Sequence, residues 1–387
     1  MLFDLCATQE SVVGPHGGAE YSKAVFRALL RRRPAREIAA FFDPMRELDR
    51  DIRELATDAG VTLIGIRNHR DLQELLNSAR FTRMFSGLPY KYIGLDFSKV
   101  DLVMTIHGLR EIEVPFDKFE WRTATSVRQF LSWAYRGCAT KIYIRRVRER
   151  LRSLLNVPAR SRTIVVPSLH TKYALLTEIP GLASSEIVVL YSPRSEVASM
   201  TAGDAGLLDQ FGLGPKRYLL IVSANRWVKN AYRAIAAACS VLGDTPGWGE
   251  GRIVAVGGSC LRVPVQWNRF LTVLPAQPPA TLACLYRHAY LLLYPSLNEG
   301  FGYPPIEAMA HGTPVIAAAT SAIPEIAAAG AEYVCPTSLT DMKARLRWLL
   351  QDAEAYEQLC RRGAERAREI AAMQASMLES LCELLMR

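Results

Sequence analysis

Short apolar segments alternate along this chain with longer segments in which apolar residues recur every third or fourth position. Continuous apolar runs are typical of strands buried on both faces of a parallel sheet, and the longer spacing is typical of helices. The predicted strands are Leu2–Ala7, Glu37–Phe42, Val61–Ile66, Leu102–His107, Thr163–Val166, Ile187–Tyr191, Tyr218–Ser223, Ile253–Val256, Phe270–Leu274, Tyr290–Tyr294 and Pro314–Ala317. The predicted helices are Tyr21–Arg32, Arg46–Ala59, Asp71–Ala79, Asn230–Leu242, Pro279–His288 and Tyr356–Met386. The pattern therefore indicates an α/β protein with parallel sheets.

The number of strands exceeds that of one ordinary doubly wound sheet, so we expect two Rossmann-like domains. A segment rich in Ser, Gly, Asp and Pro, residues 192–216, separates two groups of strands. We predict an N-terminal domain over residues 1–195 and a C-terminal domain over 196–368. The last segment, 369–387, has a helical pattern with no strand after it and is predicted to be a C-terminal helix.

Composition narrows the class of protein. Of 387 residues, 50% are apolar and 22% are charged, which is typical of soluble globular proteins and excludes collagenous or disordered chains. The net charge of +9 indicates an anionic partner, such as a phosphorylated ligand, an acidic membrane surface or nucleic acid. The cysteines show no zinc spacing and are expected to be buried free thiols in a reducing cytosol. We see no signal peptide and no apolar run long enough for a membrane span.

The segment SLNEGFGYPPIEAMAHGTPVI, residues 296–316, follows a predicted strand and carries the strongest chemical pattern. Gly300 and Gly302 let the backbone approach a ligand, and the two prolines after them suit the start of a short helix. A helix N-terminus attracts anions. A carboxylate beside such a site would repel the bound anion, so we expect it to have a separate role, such as accepting hydrogen bonds from ribose hydroxyls. Glu299 falls in the loop and Glu307 in the predicted first helical turn, where it could instead merely complement the helix dipole.

The pattern E-G-F-G-x-P-x-x-E-A-M-A-x-G-x-P-V-I, from Glu299 to Ile316, resembles the retaining glycosyltransferases of family 4, which have the GT-B fold. The resemblance implies two Rossmann-like domains facing a central cleft, with the C-terminal helix crossing back to the N-terminal domain. It also implies that Glu307 holds the nucleotide ribose and that Glu299 contacts the donor sugar. The amides of Gly300, Phe301 and Gly302 would then face the sugar and the diphosphate.

A second loop, residues 223–235, follows the strand that begins at Tyr218 and contains two cations before a helix. Arg226 and Lys229 could neutralise a diphosphate, which gains charge as it leaves; on its own the pair also fits a solvated basic turn. In the family that the chain resembles, a Lys followed by Asn or Gly binds the diphosphate together with an Arg. Lys229 and Asn230 match this pattern, and Arg226 lies closer to the Lys than in many members.

Two features of the N-terminal half fit the same resemblance. Gly17 and Gly18, in the loop 14–25, open a predicted helix; in the family such glycines let the backbone approach the diphosphate and the acceptor. His107 ends a predicted strand and corresponds to a family histidine that contacts the donor sugar, although a single histidine is more often structural. The sequence has no G-x-G-x-x-G pattern, which argues against a nicotinamide dehydrogenase.

Gly257 and Pro275 each follow an apolar strand of the C-terminal half and are expected to line the pocket for the nucleotide base. The family usually has a glycine where this chain has Leu274 and Pro275.

Residues 141–155, KIYIRRVRERLRSLL, predict an amphipathic helix with a basic face. This helix could lie on anionic lipid or be an ordinary solvated surface helix, and no reader motif supports nucleic acid.

The resemblance implies transfer of a hexose, of mannose or glucose type, from a GDP- or UDP-sugar to a hydroxyl of a glycan or lipid-linked acceptor, with retention of configuration. We expect a role in bacterial surface polysaccharide or lipopolysaccharide synthesis, in the cytoplasm or peripherally at the inner face of the plasma membrane. No metal and no cofactor besides the donor is expected. The alternatives are a nucleotide-sugar epimerase on the same fold and a non-catalytic sugar-nucleotide or lipid-binding protein.

Overall fold

The computed structural model describes residues 1–9, 17–32, 37–199, 205–246, 248 and 251–387. The strands are β1 (Leu2–Asp4), β2 (Ala39–Phe42), β3 (Thr62–Gly65), β4 (Arg83–Ser86), β5 (Phe97–Thr105), β6 (Ala159–Val166), β7 (Ile187–Val189), β8 (Tyr218–Ile221), β9 (Arg252–Val256), β10 (Leu271–Leu274), β11 (Leu291–Tyr294), β12 (Val315–Ala318) and β13 (Ala331–Val334). The α-helices are α1 (Gly17–Leu30), α2 (Arg50–Asp58), α3 (His69–Asn77), α4 (Arg110–Glu113), α5 (Val127–Cys138), α6 (Thr140–Leu155), α7 (Leu169–Glu178), α8 (Glu196–Ser199), α9 (Ala231–Asp244), α10 (Pro279–His288), α11 (Tyr303–Ala310), α12 (Ile323–Ala327), α13 (Leu339–Gln351) and α14 (Ala353–Met386).

The chain folds into two compact units. The first comprises Met1–Leu109, Arg145–Arg194 and Met373–Arg387, and the second comprises Arg110–Ile144 and Ser195–Ala372. Each contains one sheet whose strands all run parallel. The predicted fold class, two parallel-sheet α/β halves, is confirmed.

The first unit has a seven-stranded sheet in the order β3-β2-β1-β4-β5-β6-β7. Phe3 of β1 packs against Phe26 of α1 and Phe85 of β4, with ring centroids 5.0 and 5.1 Å apart. All three side chains are fully buried, and each contributes about 2 kcal/mol through removal from water. Two helices begin at capping side chains, because Asp49 and Asn68 each accept a backbone N–H from the first turn of α2 and α3.

The second unit has a six-stranded sheet in the order β10-β9-β8-β11-β12-β13. Leu219, Leu292 and Ile316, on three neighbouring strands, are fully buried, as continuous apolar strands require. The chain moves outward in one direction through β8, β9 and β10 and then restarts beside β8 at β11. The strand order therefore reverses between β8 and β11, which places a crevice at the carboxyl ends of these two strands.

The segment Arg110–Ile144 belongs to the second unit, whereas the sequence prediction kept it in the N-terminal domain. Polar contacts explain this difference. Asp117 accepts a hydrogen bond from Arg233 at 2.8 Å, and Glu113 accepts one from Asn298 at 3.0 Å. These partners are more than a hundred residues apart in the sequence, so no local pattern could indicate them.

The last helix, α14, begins in the second unit and ends in the first, since the residues from Met373 onward belong to the first unit. Leu381 and Leu385 are buried in the same core as Phe3. Gln374 also donates a hydrogen bond to the Ser192 carbonyl oxygen at 2.7 Å. The predicted return of the C-terminal helix to the N-terminal half is confirmed.

Two strands escaped the sequence prediction. Arg83–Ser86 has only two apolar residues, and Ala331–Val334 contains a glutamate, so neither forms a continuous apolar run. Both become strands because a parallel neighbour supplies their backbone partners. The cysteines are free, but the prediction that they are buried holds only for Cys239, Cys284 and Cys382; three others are partly buried, and Cys138 and Cys335 are exposed.

Candidate active site

Two loops of the second unit lie where the strand order reverses. One follows β8 and runs through residues 222–230, and the other follows β11 and runs through 295–302. β8 and β11 are hydrogen-bonded neighbours, so both loops leave the same edge of the sheet side by side. Ligands of open α/β sheets bind at such a reversal. The structure therefore brings the predicted site residues of these two loops together.

Lys229 and Glu299 form a buried ion pair between the two loops. The Lys229 Nζ atom lies 2.6 Å from Glu299 Oε1 and 2.5 Å from the hydroxyl of Tyr294. The hydroxyls of Tyr294 and Ser296 donate to the same carboxylate oxygen at 2.7 and 2.5 Å. Only 5% of the Lys229 side chain and 14% of the Glu299 side chain are exposed. The pair ties the loop after β8 to the loop after β11.

Electrostatics keep Glu299 ionised. Burial alone would raise the pKa of Glu299, but the adjacent Lys229 ammonium, helped by Ser296 and Arg226, holds that pKa below its usual value. Burial and the Glu299 carboxylate raise the pKa of Tyr294 well above its usual value. At neutral pH Glu299 is therefore a carboxylate, and Tyr294 is a neutral hydrogen-bond donor.

Asn230 follows the lysine in the left-handed region, with φ 60° and ψ 30°, a conformation that asparagine tolerates better than most residues. Its Nδ2 donates to the carbonyl oxygens of Pro295 and Pro336 at 3.0 and 2.6 Å. Arg233, one turn into α9, donates to Asn230 Oδ1 at 2.8 Å. Asn230 is thus a structural clamp that fixes the backbone beside Lys229.

Arg226 differs from Lys229 in that its side chain is exposed. It precedes a short 3-10 turn, Trp227–Lys229, at the edge of the same crevice. Its charge contributes to lowering the pKa of Glu299. Within the ranges that the structure describes, the Arg226 guanidinium forms no ion pair, so its charge is uncompensated while that of Lys229 is balanced by Glu299.

The Gly-Phe-Gly loop reaches α11 through a backbone position with positive φ that favours glycine. Gly302 has φ 97°, which residues with a side chain rarely adopt. α11 begins directly after it, with prolines in its first turn, as predicted. Because Pro304 and Pro305 have no N–H, an anion contact here rests on the amides of the loop rather than on the first helical turn. The helix ends at Ala310 with His311 as its C-cap, and Gly312 follows with φ 75°, as predicted.

Glu307 is buried and lies in α11, but it is the fifth residue of that helix and not part of the first turn as predicted. Complementing the helix dipole therefore does not explain it, since that effect falls off within one turn. Its Oε2 accepts a hydrogen bond from the Tyr286 hydroxyl at 2.9 Å, and Ser195 donates a second. Burial raises the pKa of Glu307 against these hydrogen bonds.

The predicted base-pocket residues follow β9 and β10. Gly257 has φ 76°, and its N–H donates to the Leu274 carbonyl oxygen at 2.8 Å, so the ends of the two strands are held together. Pro275 is exposed, and its carbonyl oxygen accepts a hydrogen bond from Gln277 at 3.1 Å. Both residues lie at the carboxyl edge of the sheet, on the strands beyond β8.

The predicted residues of the N-terminal half lie in the first unit. His107 stands two residues beyond β5, and its Nε2 lies 2.9 Å from the Gly87 carbonyl oxygen. Gly17 and Gly18 begin α1, and residues 14–16 of the predicted loop lie outside the described residues. A Cβ on Gly18 would meet the Leu88 side chain at 2.9 Å, so this glycine permits a close approach within the protein itself.

Four side chains at these positions escaped the sequence prediction. They are Tyr286, Tyr294, Ser296 and Arg233. The hydroxyls of Tyr294 and Ser296 flank the end of a buried strand, which was a usable signal. Tyr286 and Arg233 lie within amphipathic helices, where a single polar residue indicates nothing about its partner.

Across the described ranges, no group of three or more His, Cys, Asp or Glu side chains is placed to hold a metal ion. Nor does any helix in the described part of the chain combine the length and the apolar character that crossing a bilayer requires.

Residues 267–368 match the family model of the glycosyl transferases group 1. The chain is 54% identical over 55 residues to the O-antigen chain mannosyltransferase RfbU of Salmonella typhimurium, a match that covers 14% of this chain and 16% of the relative. It is 33% identical over 181 residues to the D-inositol 3-phosphate glycosyltransferase of Segniliparus rotundus, covering 43% and 38%. The matches thus span well under half of these relatives' own lengths.

Among solved structures, the fold is similar to that of HepE from Anabaena in complex with UDP and glucose, with a TM-score of 0.67, 13% identity and 99% of both chains covered. At this identity the likeness concerns the fold alone. The chain therefore carries the glycosyl transferases group 1 sequence over residues 267–368 and the GT-B fold over nearly its whole length, which confirms the resemblance that the motif from Glu299 to Ile316 indicated.

Proposed function

We propose that the protein is a retaining glycosyltransferase that moves a hexose from a nucleoside diphosphate sugar to a hydroxyl of a glycan or lipid-linked acceptor. The observation that carries this proposal is the arrangement at the strand reversal of the second unit. There a buried carboxylate, an uncompensated guanidinium and a glycine loop share one crevice. In this proposal the carboxylate binds the ribose hydroxyls of such a donor, the guanidinium binds its diphosphate, and the glycine loop faces its sugar.

The carboxylate of Glu307 is suited to the ribose. It is buried and holds Tyr286 through one oxygen, so its position is fixed before a ligand arrives. A carboxylate accepts hydrogen bonds from two adjacent hydroxyls more strongly than a neutral group does. Pocket residues Gly257 and Pro275, at the ends of neighbouring strands, are assigned to the base in the same proposal.

Arg226 supplies the positive charge for the diphosphate in this proposal. Because Lys229 is already paired with Glu299, the local excess charge resides on Arg226, and the ammonium chiefly sets the position of the loop. As the bond to the sugar breaks, charge develops on the leaving phosphate, and the guanidinium together with the amides of Gly300 and Phe301 would stabilise it.

Retention of configuration is supported by the state of Glu299. Its Oε1 already accepts from an ammonium, a phenol and a hydroxyl, which spreads its charge and weakens it as a nucleophile. Its lowered pKa also makes it a weak base. In this proposal the leaving diphosphate, rather than Glu299, takes the proton of the incoming acceptor hydroxyl on the face from which it departs.

The donor is proposed to be a GDP- or UDP-linked hexose of mannose or glucose type. One relative is named as an O-antigen chain mannosyltransferase, and one similar structure holds UDP and glucose. A role in bacterial surface polysaccharide synthesis, with no requirement for a metal ion, belongs to the same proposal. His107 is assigned a contact with the donor sugar on the strength of the resemblance.

The test is a thermal-shift panel of GDP-, UDP-, dTDP- and ADP-sugars, with and without EDTA, using the wild type, Glu307→Gln and Glu354→Ala. Glutamine keeps an oxygen for the Tyr286 hydroxyl, so the fold should survive, and Glu354 is an exposed control at the start of α14. We expect one nucleotide sugar to raise Tm by mass action and E307Q to bind it about 10- to 100-fold more weakly. Absence of a shift with every nucleotide would overturn the proposal.

A second arm uses the identified donor with candidate acceptors and assigns the anomeric configuration of the product by NMR. Transfer with retention is expected, and H107A should lower its rate without unfolding the first unit. Conversion of the donor sugar without any acceptor would instead establish the epimerase alternative, and tight donor binding with no turnover would establish a non-catalytic binding protein.

A further inference from the structure

The helix α5 turns an apolar face to the solvent. Val127, Phe130, Leu131 and Tyr135 are 75%, 45%, 61% and 40% exposed, and α5 contains no buried residue. Phe130 and Leu131 follow Val127 by three and four positions, and Tyr135 follows Leu131 by four, so these four residues, here called the α5 stripe, lie along one side of the helix. A helix on the surface of a soluble protein ordinarily carries polar residues on that side.

The opposite side of α5 is fixed to its own unit. Trp133 stacks on Phe116 with ring centroids 5.8 Å apart, and its indole N–H donates to the Asp117 carbonyl oxygen at 3.0 Å. Arg136 forms an ion pair with Glu120, and both side chains are largely buried. These contacts use the polar and aromatic residues of the inner side. The α5 stripe therefore cannot rotate inward without breaking them.

Cations outnumber anions in the sequence around the stripe, and three of these cations are already paired with glutamates that lie outside residues 121–148. Residues 121–148 contain seven Lys or Arg residues and no Asp or Glu. Arg128, three residues before Leu131, and Lys141, the second residue of α6, are both exposed. Neither forms an ion pair with any residue in the described ranges. The apolar stripe is thus bordered by cations whose charge the protein does not balance.

We propose that the α5 stripe inserts into the surface of an anionic lipid bilayer, with Arg128 and Lys141 at the level of the lipid headgroups. Amphipathic helices lie in this position when apolar side chains face the acyl chains and cations face anionic headgroups, and a tyrosine at the edge suits the boundary. Apart from Lys141, this surface is distinct from the basic helix that the sequence predicted over residues 141–155. There, Leu154 and Leu155 are buried and Arg148 is paired with Glu178.

A second copy of the chain is a less suitable occupant of the same surface. In a symmetric dimer each patch meets its own copy, so the exposed and unpaired Arg128 and Lys141 of one copy would face those of the other. Like charges placed together in a partly dehydrated interface oppose association. An anionic bilayer both accepts the apolar side chains and neutralises the cations. This inference stands apart from the proposed transfer reaction and is tested without it.

The experiment measures binding of the full chain to sedimented vesicles of phosphatidylcholine alone or with 30% phosphatidylglycerol, at low and high salt. The variants are V127S/F130S/L131S, R128Q/K141Q and the control V265S, which removes an apolar side chain 81% exposed elsewhere in the second unit. All changed side chains are exposed, and circular dichroism with thermal unfolding verifies that each variant folds.

We expect binding to the anionic vesicles, weakening as salt rises, with at least a tenfold loss for the triple variant. The variant R128Q/K141Q should bind the anionic vesicles about 30-fold more weakly, since each cation near an anionic surface increases the affinity about fivefold. V265S should bind within twofold of the wild type. Equal binding to neutral and anionic vesicles, unchanged binding of the triple variant, or a wild-type dimer that the triple variant converts to a monomer would each overturn the proposal.

Discussion

The ion pair between Lys229 and Glu299 makes the sharpest quantitative prediction. Its atoms lie 2.6 Å apart and both side chains are nearly removed from water. At an effective dielectric constant near 20, a contact of this kind represents an attraction of about 6 kcal/mol before desolvation is subtracted. Removing one partner leaves the other charge buried, which typically costs about 3–5 kcal/mol. Each of K229M and E299Q should therefore destabilise the second unit by about 3 kcal/mol.

The double variant K229M/E299Q should cost much less than the sum of the two single changes, because no charge is left unpaired. We expect a coupling energy of about 2 kcal/mol or more, measured by urea unfolding of all four proteins. Additive effects would refute the view that the two residues act as one buried pair. The exposed pair Arg50 and Glu54 on α2 provides a control cycle, and its coupling should be below about 1 kcal/mol.

The pair also predicts a dependence on pH. Since the folded state lowers the pKa of Glu299, the stabilisation is fully present above the unfolded value, about 4.3, and is lost as the pH falls through the lower folded value. E299Q should show none of this loss when the unfolding free energy is compared at pH 7 and at pH values below 4. An equal loss in wild type and variant would show that another carboxyl group is responsible.

Three further predictions concern neighbouring groups. Replacement of Arg233 by Lys should raise the KM for the donor several-fold and destabilise the second unit by about 1–3 kcal/mol, because lysine cannot reproduce both guanidinium hydrogen bonds, to Asn230 and to Asp117; an unchanged KM would contradict this positioning role. D101N should destabilise the first unit by about 1–3 kcal/mol at pH 7 in thermal unfolding, since the carboxylate accepts from Arg160 at 2.5 Å and its pKa is lowered. D4N should become more stable relative to the wild type as the pH rises from 4 to 8. Burial raises the pKa of Asp4, so the wild type alone must bury a charge at high pH, and a pH-independent difference would contradict this.

Much of the second unit followed directly from its sequence. Continuous apolar runs located β8, β9, β11 and β12 within one to two residues, and the proline and glycine positions located both ends of α11. These signals are local, because a parallel strand is apolar over its own length and a proline or glycine restricts its own backbone. The motif from Glu299 to Ile316 likewise identified the loop that the fold places at the strand reversal.

Other features depended on contacts between distant residues. β4 and β13 lack a continuous apolar pattern and are strands only because neighbouring strands pair with them. The segment Arg110–Ile144 joins the second unit through Asp117 and Glu113, whose partners lie far along the chain. The sequence could show that these residues were charged, but not which distant side chains would donate hydrogen bonds to them.

The sequence by itself determined the fold class, the boundaries of most elements and the identity of the chemical groups at the crevice. Only the tertiary structure decided how those groups share their charges: Lys229 is neutralised by Glu299, while Arg226 stays exposed. It also decided that Trp133 and Arg136 face inward, which leaves the α5 stripe in solvent. Hydrophobic periodicity is a local property of each segment, so the sequence shows it directly. Which residue pairs with a charge, and which surface is buried, depend on distant elements that come into contact only when the chain folds.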